Sequence, residues 1–150
     1  MKKLILLLLI LFLLISCNSK KSIENYLTSN NKWIIDKMEY KKQDLEPLLV
    51  FDFISFNNNG ECSIPTVRLE EGLMKKEDRV ASWSIDGSLL TIKSVKEYMN
   101  GKFRVCFGKD MEQKRVYMVI KSKDLYLKAY RGFFNDAFYK SIPFECNLNF

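Results

Sequence analysis

The residues of this sequence with the greatest chemical potential are its four cysteines, Cys17, Cys62, Cys106 and Cys146. No two of them stand in a C-x-x-C arrangement, so the spacing indicates neither a dithiol redox motif nor a cysteine metal site. The sequence contains no histidine. This removes the commonest general base, the commonest metal ligand and the usual pH switch.

Carboxylates offer the remaining route to catalysis, and two adjacent pairs occur at Glu70-Glu71 and Glu77-Asp78. Both pairs fall in a charged stretch around Gly72 that is typical of a loop. Neighbouring residues in a loop do not form the opposed pair that glycoside hydrolysis needs. We therefore expect no catalytic residue, no cofactor and no bound metal, and we expect that the protein is not an enzyme.

Cys17 closes an N-terminal segment that is organised like an export signal. Lys2 and Lys3 are followed by twelve apolar residues, 4–15, and the small residue Ser16 precedes the cysteine. A membrane-spanning helix needs about 20 apolar residues, so a run of this length predicts a signal peptide, residues 1–16, that is removed.

The run Leu14-Ile15-Ser16-Cys17 resembles the lipobox of bacterial lipoproteins. The resemblance implies that Cys17 receives a diacylglyceryl thioether, that the chain is cut before Cys17, and that the new amino terminus is acylated, with palmitate as the expected fatty acid. The protein would be exported and held by its lipid at the periplasmic face of a membrane or at the cell surface. The alternative is an ordinary secretory signal followed by an unrelated cysteine.

Cleavage after residue 16 would leave 134 of the 150 residues, a length typical of one domain. We expect residues 17–21 to be a lipidated tether and residues 22–150 to fold. The signal segment carries two of the 24 basic residues, so 22 remain against 18 acidic residues, a formal charge of +4. Because the charges are interspersed, we interpret them as a solvated surface, with a patch for anionic lipid or polysaccharide as the alternative, and we expect no nucleic-acid partner.

From residue 32 onward the pattern is typical of β-strands, with alternating apolar residues and turn signals at Asn57 to Gly60, Asp86-Gly87 and Asn100-Gly101. Pro65 predicts an edge or a bulge. The eight predicted strands are residues 33–40, 49–56, 61–69, 79–85, 88–93, 102–107, 115–121 and 125–130. Hairpin-length connections join most of them, which predicts an all-β fold, an antiparallel up-and-down meander that closes into a barrel.

Two short helices are predicted outside the meander. Residues 22–27 place Ile23, Tyr26 and Leu27 on one face, with Ser22 as the N-cap. In the C-terminal tail, i, i+4 pairs of Phe133 with Ala137 and of Phe134 with Phe138 predict a packed helix that Pro143 ends.

With Cys17 assigned to the lipid, three cysteines remain in an oxidising compartment, and we expect one disulfide and one free thiol. The sequence does not choose among the three pairs of Cys62, Cys106 and Cys146. A pair that includes Cys146 would fasten the tail, together with Phe144.

Residues 31–130 are similar in pattern to the lipocalin-like domains of small bacterial lipoproteins. The residues that carry this similarity are Lys32-Trp33, Phe53 and Phe56 before the turn at Gly60, Trp83-Ser84-Ile85-Asp86-Gly87 with Leu90-Thr91-Ile92, and Asp124-Leu125-Tyr126-Leu127. The resemblance implies a lipocalin-like barrel of about eight strands, near a membrane, with a cavity for an apolar molecule. Candidate residues for the cavity wall or the core are Trp33, Phe53, Trp83 and Tyr117.

We therefore expect a lipid-anchored binding module for a small apolar ligand. The alternative is a solid barrel whose surface binds an envelope protein, as an inhibitor or an accessory factor. An eight-stranded barrel is wide enough either to be filled by its own side chains or to hold one small ligand, so the two hypotheses predict different interiors.

Overall fold

The structure is a computed structural model that describes residues 23–29, 32–68, 79–131, 136–143 and 145–146. The predicted signal peptide, Cys17, the tether, Ser22 and the expected loop at residues 70–78 lie outside the described residues. Phe133, Phe134 and Phe144 of the predicted tail lie outside them as well.

Within these ranges the backbone forms eleven strands. They are β1 (Trp33–Tyr40), β2 (Gln43–Asp44), β3 (Leu49–Phe51), β4 (Phe53–Phe56), β5 (Glu61–Ser63), β6 (Thr66–Val67), β7 (Val80–Asp86), β8 (Leu89–Lys93), β9 (Gly101–Asp110), β10 (Arg115–Lys121) and β11 (Leu125–Arg131). Helix α1 covers residues 23–28 and helix α2 covers Asp136–Ser141. Single 3-10 turns occupy Glu46–Leu48 and Glu97–Met99.

Eight of the strands close into an antiparallel barrel. Around the barrel the order is β1, β4, β5, β7, β8, β9, β10 and β11, and β11 pairs again with β1. Each strand lies beside the next barrel strand along the chain, so the topology is up-and-down. The prediction of an eight-stranded all-β meander that closes into a barrel is confirmed.

The hairpin between β7 and β8 forms where the sequence predicts it, displaced by one residue. Asp86 is paired with Leu89, so the turn consists of Gly87 and Ser88 and not of Asp86 and Gly87. Gly87 has φ +59, a conformation that glycine adopts without steric cost. Strand β9 is also longer than predicted and runs to Asp110, because it stays paired with β10 up to Arg115.

The predicted strand at residues 49–56 is two strands, so that expectation is wrong in its continuity. Asp52 separates them, and its carbonyl accepts a hydrogen bond of 2.7 Å from the Ile35 amide. Only β4 joins the barrel, whereas β3 pairs with β6 in a separate two-stranded sheet. The predicted strand at residues 61–69 is also wrong in its continuity: residues 64 and 65 divide it into β5 and β6, whereas the proline at position 65 predicts only an edge or a bulge.

Side chains alternate across the barrel wall. In β9 the residues Phe103, Val105 and Phe107 are buried, whereas Lys102 before them and Arg104 between the first two are exposed. Successive residues of a strand point to opposite faces, so the buried set points into the barrel. The same alternation continues in β11, and in β10 Val116, Met118 and Ile120 point inward although Val119 between the last two is also buried.

Strand β1 points side chains into the barrel both before and after a bulge, because its register shifts between Ile35 and Lys37. The extra residue of a bulge reverses the phase of the strand. Trp33 and Ile35 before the bulge and Met38 after it are all buried.

Candidate functional site

Among the described residues, the barrel interior is filled by the side chains of its own strands. Ten buried residues contributed by five of the barrel strands have 0% exposure, which means that a water-sized probe touches them neither from outside nor from an internal void. They are Trp33, Met38, Ile54, Leu90, Ile92, Val116, Met118, Ile120, Leu127 and Ala129. A barrel of this size can either be filled by its own side chains or hold one small ligand, and these residues form a packed interior.

Helix α1 covers one end of the barrel. Leu27 is buried in the core, and the Tyr26 ring meets Phe107 edge-on with 5.3 Å between ring centroids. The Tyr26 hydroxyl donates a hydrogen bond of 3.1 Å to the Ser141 carbonyl of α2, where Ile142 is also buried. Both short helices therefore pack at this end.

A buried arginine fixes α1 to the barrel. The Arg131 guanidinium, at the end of β11, donates to the side-chain oxygen and the carbonyl oxygen of Ser29, which follows α1. It also lies over the Trp33 ring, 5.7 Å from the centroid. Removal from water lowers the pKa of Arg131 from its ordinary value, and charged hydrogen bonds of this kind offset part of that cost.

The 3-10 turn at Glu97–Met99 covers the other end. Met99 is fully buried, and the Tyr98 hydroxyl donates to the Pro65 carbonyl at 3.1 Å. On the outside of this turn the Glu97 carboxylate accepts hydrogen bonds from Tyr40 at 2.8 Å and from Lys41 at 2.7 Å. The bond between Lys41 and Glu97 raises the pKa of Lys41 to about 12 and lowers the pKa of Glu97.

The four aromatic residues that the sequence proposes for a cavity wall or core are not brought together. Trp33 lies in the core at one end. Trp83 is half-buried on the inner face, where its ring meets Phe56 edge-on at 5.2 Å and its N–H donates to the Asn57 carbonyl. The two tryptophans therefore have structural contacts.

Phe53 and Tyr117 lie on the outer surface, which corrects their assignment to a cavity or core. Phe53 precedes the buried residue Ile54 and points the opposite way, with the Lys32 ammonium 4.3 Å from its ring centroid. Tyr117 is paired across strands with Gly108, and its ring lies where a β-carbon at position 108 would stand. Alternation alone could not distinguish these positions, because both faces of their strands carry apolar or aromatic residues.

The cysteines separate into a disulfide and a buried thiol. Of the three pairs that the sequence leaves open, the structure contains Cys106–Cys146, with 5.3 Å between the α-carbons. Cys62 is free and 1% exposed. Burial raises the pKa of the Cys62 thiol to about 12, so this thiol is neutral at ordinary pH and inert as a nucleophile.

The outer wall carries an open groove of about 590 Å³ that sequence reasoning did not find. Its floor includes Glu61, Ser82 and Lys93, which are neighbours across β5, β7 and β8. Val80 and Val95 border it, and Val95 is 79% exposed. The groove thus combines apolar rims with opposite charges on its floor.

The turn that borders this groove is held by its own polar groups. The Asn100 side-chain oxygen accepts from the Ser94 amide at 3.2 Å, and the Ser94 hydroxyl accepts from the Lys96 amide at 2.9 Å. These bonds keep Val95 directed outward. No local sequence pattern predicts the groove, because its residues come from three strands and a turn.

The described residues contain neither a metal-binding cluster nor a membrane-spanning helix. Among the described residues, no group of three or more cysteine, aspartate or glutamate side chains could hold a metal ion. No helix within the part of the chain that the structure describes is both long and apolar enough to cross a membrane.

Comparison of the chain with protein-family models, with curated proteins and with solved structures gives no match.

Proposed function

We propose that the protein is an exported lipoprotein of the cell envelope, anchored through a lipid on Cys17. The support is the order of features in residues 1–17: two lysines, twelve apolar residues, a small residue and a cysteine. The described helix α1 begins at residue 23, which leaves a tether of a few residues between Cys17 and the fold. The lipocalin-like relationship remains part of this proposal and rests on the pattern of residues 31–130.

We further propose that the anchored barrel is a non-enzymatic module that binds an envelope protein. The observation that carries this choice over a small apolar ligand is the filled interior, with ten barrel side chains at 0% exposure. Room for a ligand inside would require several of these side chains to leave the core, and burial of each contributes about 1.5–3 kcal/mol. The outer surface is the part of the molecule left for recognition.

The groove between β7, β8 and the turn after β8 is a candidate recognition surface on this outer wall. Its valines offer apolar contact, and Glu61 and Lys93 offer charges of both signs. Protein interfaces combine apolar contacts with charged groups that set orientation. A segment of an envelope protein with mixed apolar and charged residues fits this chemistry.

The anchor is tested by replacing Cys17 with Ser. The unmodified protein is expected in the detergent phase of a detergent extraction, and C17S in the aqueous phase, because it lacks the acyl chains. An Asn18→Ser variant keeps the cysteine and serves as the control. Unchanged partitioning of C17S would overturn the anchor.

The interior is tested by native mass spectrometry of protein extracted under mild conditions. The expected mass is that of the chain with its N-terminal lipid and nothing more. A second bound molecule, retained when the lipid anchor is removed by C17S, would refute the solid barrel and restore the small-ligand hypothesis.

The groove is tested by capture of partners from envelope extracts. Val95→Glu places a charge at a position that is 79% exposed, so the fold is retained while the apolar rim is lost. Val50→Glu, at a position 45% exposed on β3 and outside the groove, is the matched control. A protein captured by the unmodified chain and by V50E but not by V95E supports the proposal, and equal capture by all three contradicts it.

A further inference from the structure

One row of outward side chains crosses four neighbouring strands of the barrel. Phe53 on β4 is paired with Ile34 on β1, Ile34 with Tyr130 on β11, and Tyr130 with Tyr117 on β10. Neighbouring strands lie about 4.8 Å apart, so the row spans about 14 Å of the wall. Ile34, near its middle, is 46% exposed.

Three cations lie against the rings of this row. The Lys32 ammonium is 4.3 Å from the Phe53 centroid, and the Lys128 ammonium is 5.0 Å from the centroids of both Tyr117 and Tyr130. The Arg115 guanidinium is 5.8 Å from the Tyr130 centroid. We call the row of four residues and its three cations the basic aromatic face.

The basic aromatic face carries an excess of positive charge. Among the described residues, no carboxylate forms an ion pair with Lys32, Arg115 or Lys128. Two carboxylates lie beside the face: Asp36, whose charge acts on Lys128, and Asp110, which is paired across strands with Arg115. The Asp110 carboxylate accepts a hydrogen bond from the Gln113 amide within its own turn.

A fourth cation extends the pattern along the same wall. The Phe51 ring meets Phe53 edge-on at 6.3 Å, and the Arg79 guanidinium lies 4.2 Å from the Phe51 centroid. Aromatic rings and exposed aliphatic side chains beside cations are the combination that settles in the headgroup layer of an anionic membrane.

The basic aromatic face lies near the position where the chain begins the barrel. Lys32 directly precedes β1, and Ile34 is its second residue. At the same end Arg131, next to Tyr130, holds Ser29 after α1. From Cys17 to residue 23 the chain makes six residue-to-residue steps, which reach about 20 Å when fully extended. A lipid on Cys17 would therefore keep this end of the barrel close to the bilayer.

We propose that the basic aromatic face docks on the anionic lipid headgroups of the membrane and sets the orientation of the barrel there. This inference deepens the proposed lipid anchoring and rests on it for the location of the protein, but the contact itself is made by folded residues. Peripheral protein segments insert about 5–10 Å into the headgroup region of a membrane. At this depth several strands of the convex barrel wall that carry the row can contact the lipid. The opposite wall, with the groove, then faces away from the membrane.

The test uses the chain from residue 18, which contains every described residue and no lipid. Its binding to vesicles of mixed phosphatidylglycerol and phosphatidylcholine is measured by flotation, with pure phosphatidylcholine vesicles as reference. We expect binding to the anionic vesicles that falls with added salt. The triple variant K32E/I34E/R115E changes three exposed positions of the face, and each lost cation weakens partitioning about fivefold, so the loss is at least about tenfold.

The matched control is L89E/K93E/K102E, which makes the same change in charge at exposed positions of β8 and β9. Strand β8 lies opposite β1 in the strand order of the barrel, and this variant is expected to bind nearly as the unmodified chain does. Equal losses in the two triple variants would mean that net charge alone governs binding, and that would overturn the proposal. Absence of binding by the unmodified chain to the anionic vesicles would overturn it too.

The double variant K32E/R115E keeps the test valid if the triple variant does not fold, since both positions are exposed and neither contributes to the core. A weakening of about tenfold or more is again expected. Failure of the proposed anchor is recognised separately, because Cys17→Ser would then partition in cells like the unmodified protein, whereas vesicle binding of the unlipidated chain would be unaffected.

Discussion

Loss of the Cys106–Cys146 disulfide is expected to destabilise the barrel by about as much as the chain-entropy model allows. The two cysteines are 40 residues apart, and the loop that they close contains β10 and β11. For a loop of this length the model gives about 4 kcal/mol at 25 °C, gained by restricting the unfolded chain. A domain of ordinary stability unfolds with about 5–15 kcal/mol, so the loss is a large fraction of the total.

The measurement is urea unfolding of Cys146→Ser. At a slope of about 2 kcal/mol per M, the midpoint falls by about 2 M. Glu145→Ser, an exposed neighbour of Cys146 that leaves the bond intact, is the control and should unfold like the unmodified protein. If the effect comes from the cross-link, Cys106→Ser and the double variant unfold at the same midpoint as Cys146→Ser. An unchanged midpoint in C146S, or additive losses in the double variant, would refute this reasoning.

Three further predictions concern single contacts. Burial raises the pKa of Cys62 from its ordinary 9.0 to about 12. The stability that the neutral thiol contributes is therefore complete below pH 9 and is lost as the pH rises toward 12. In urea unfolding measured at increasing alkaline pH, the free energy of unfolding of Cys62→Ala should decline less steeply than that of the unmodified protein. Gly108→Ala places a β-carbon against Cζ and Oη of Tyr117 and should cost about 1–3 kcal/mol in thermal unfolding, and adding Tyr117→Val should recover part of the loss if the clash is its cause. Arg131→Met removes the guanidinium from Ser29 and should cost about 2 kcal/mol, with early hydrogen exchange in α1, whereas Ser29→Ala should cost less because the carbonyl acceptor remains.

The number and order of the barrel strands could be predicted because the signals are local. Alternation of apolar residues, the Asp-Gly and Asn-Gly pairs and the proline at position 65 act through neighbours in the chain, and they define eight strands that the structure confirms. Errors arose where a tertiary contact overrides the local pattern. Around Asp52 the apolar residues continue in the sequence and predict one strand. In the structure the Asp52 carbonyl accepts a hydrogen bond from the Ile35 amide, and the strand is interrupted there.

The candidate sites were less predictable, because they depend on how strands meet. Phe53 and Tyr117 are as aromatic as Phe56 and Trp83, and alternation divides them between two faces without stating which face is inside. Closure of β11 on β1 decides that question for every strand at once. The groove at Glu61, Ser82 and Lys93 likewise exists only because three strands are in register.

By itself the sequence determined the strand pattern and the exclusion of imidazole chemistry, and the export signal at residues 1–16 stays a prediction. These properties depend on residue types and on short spacings. Only the tertiary structure decided that the barrel is filled, that Cys106 is the partner of Cys146, and that Ile34, Phe53, Tyr117 and Tyr130 form one outer row. The physical reason is that burial and cross-strand contact are set by closure of the sheet, which joins residues that are far apart in the chain.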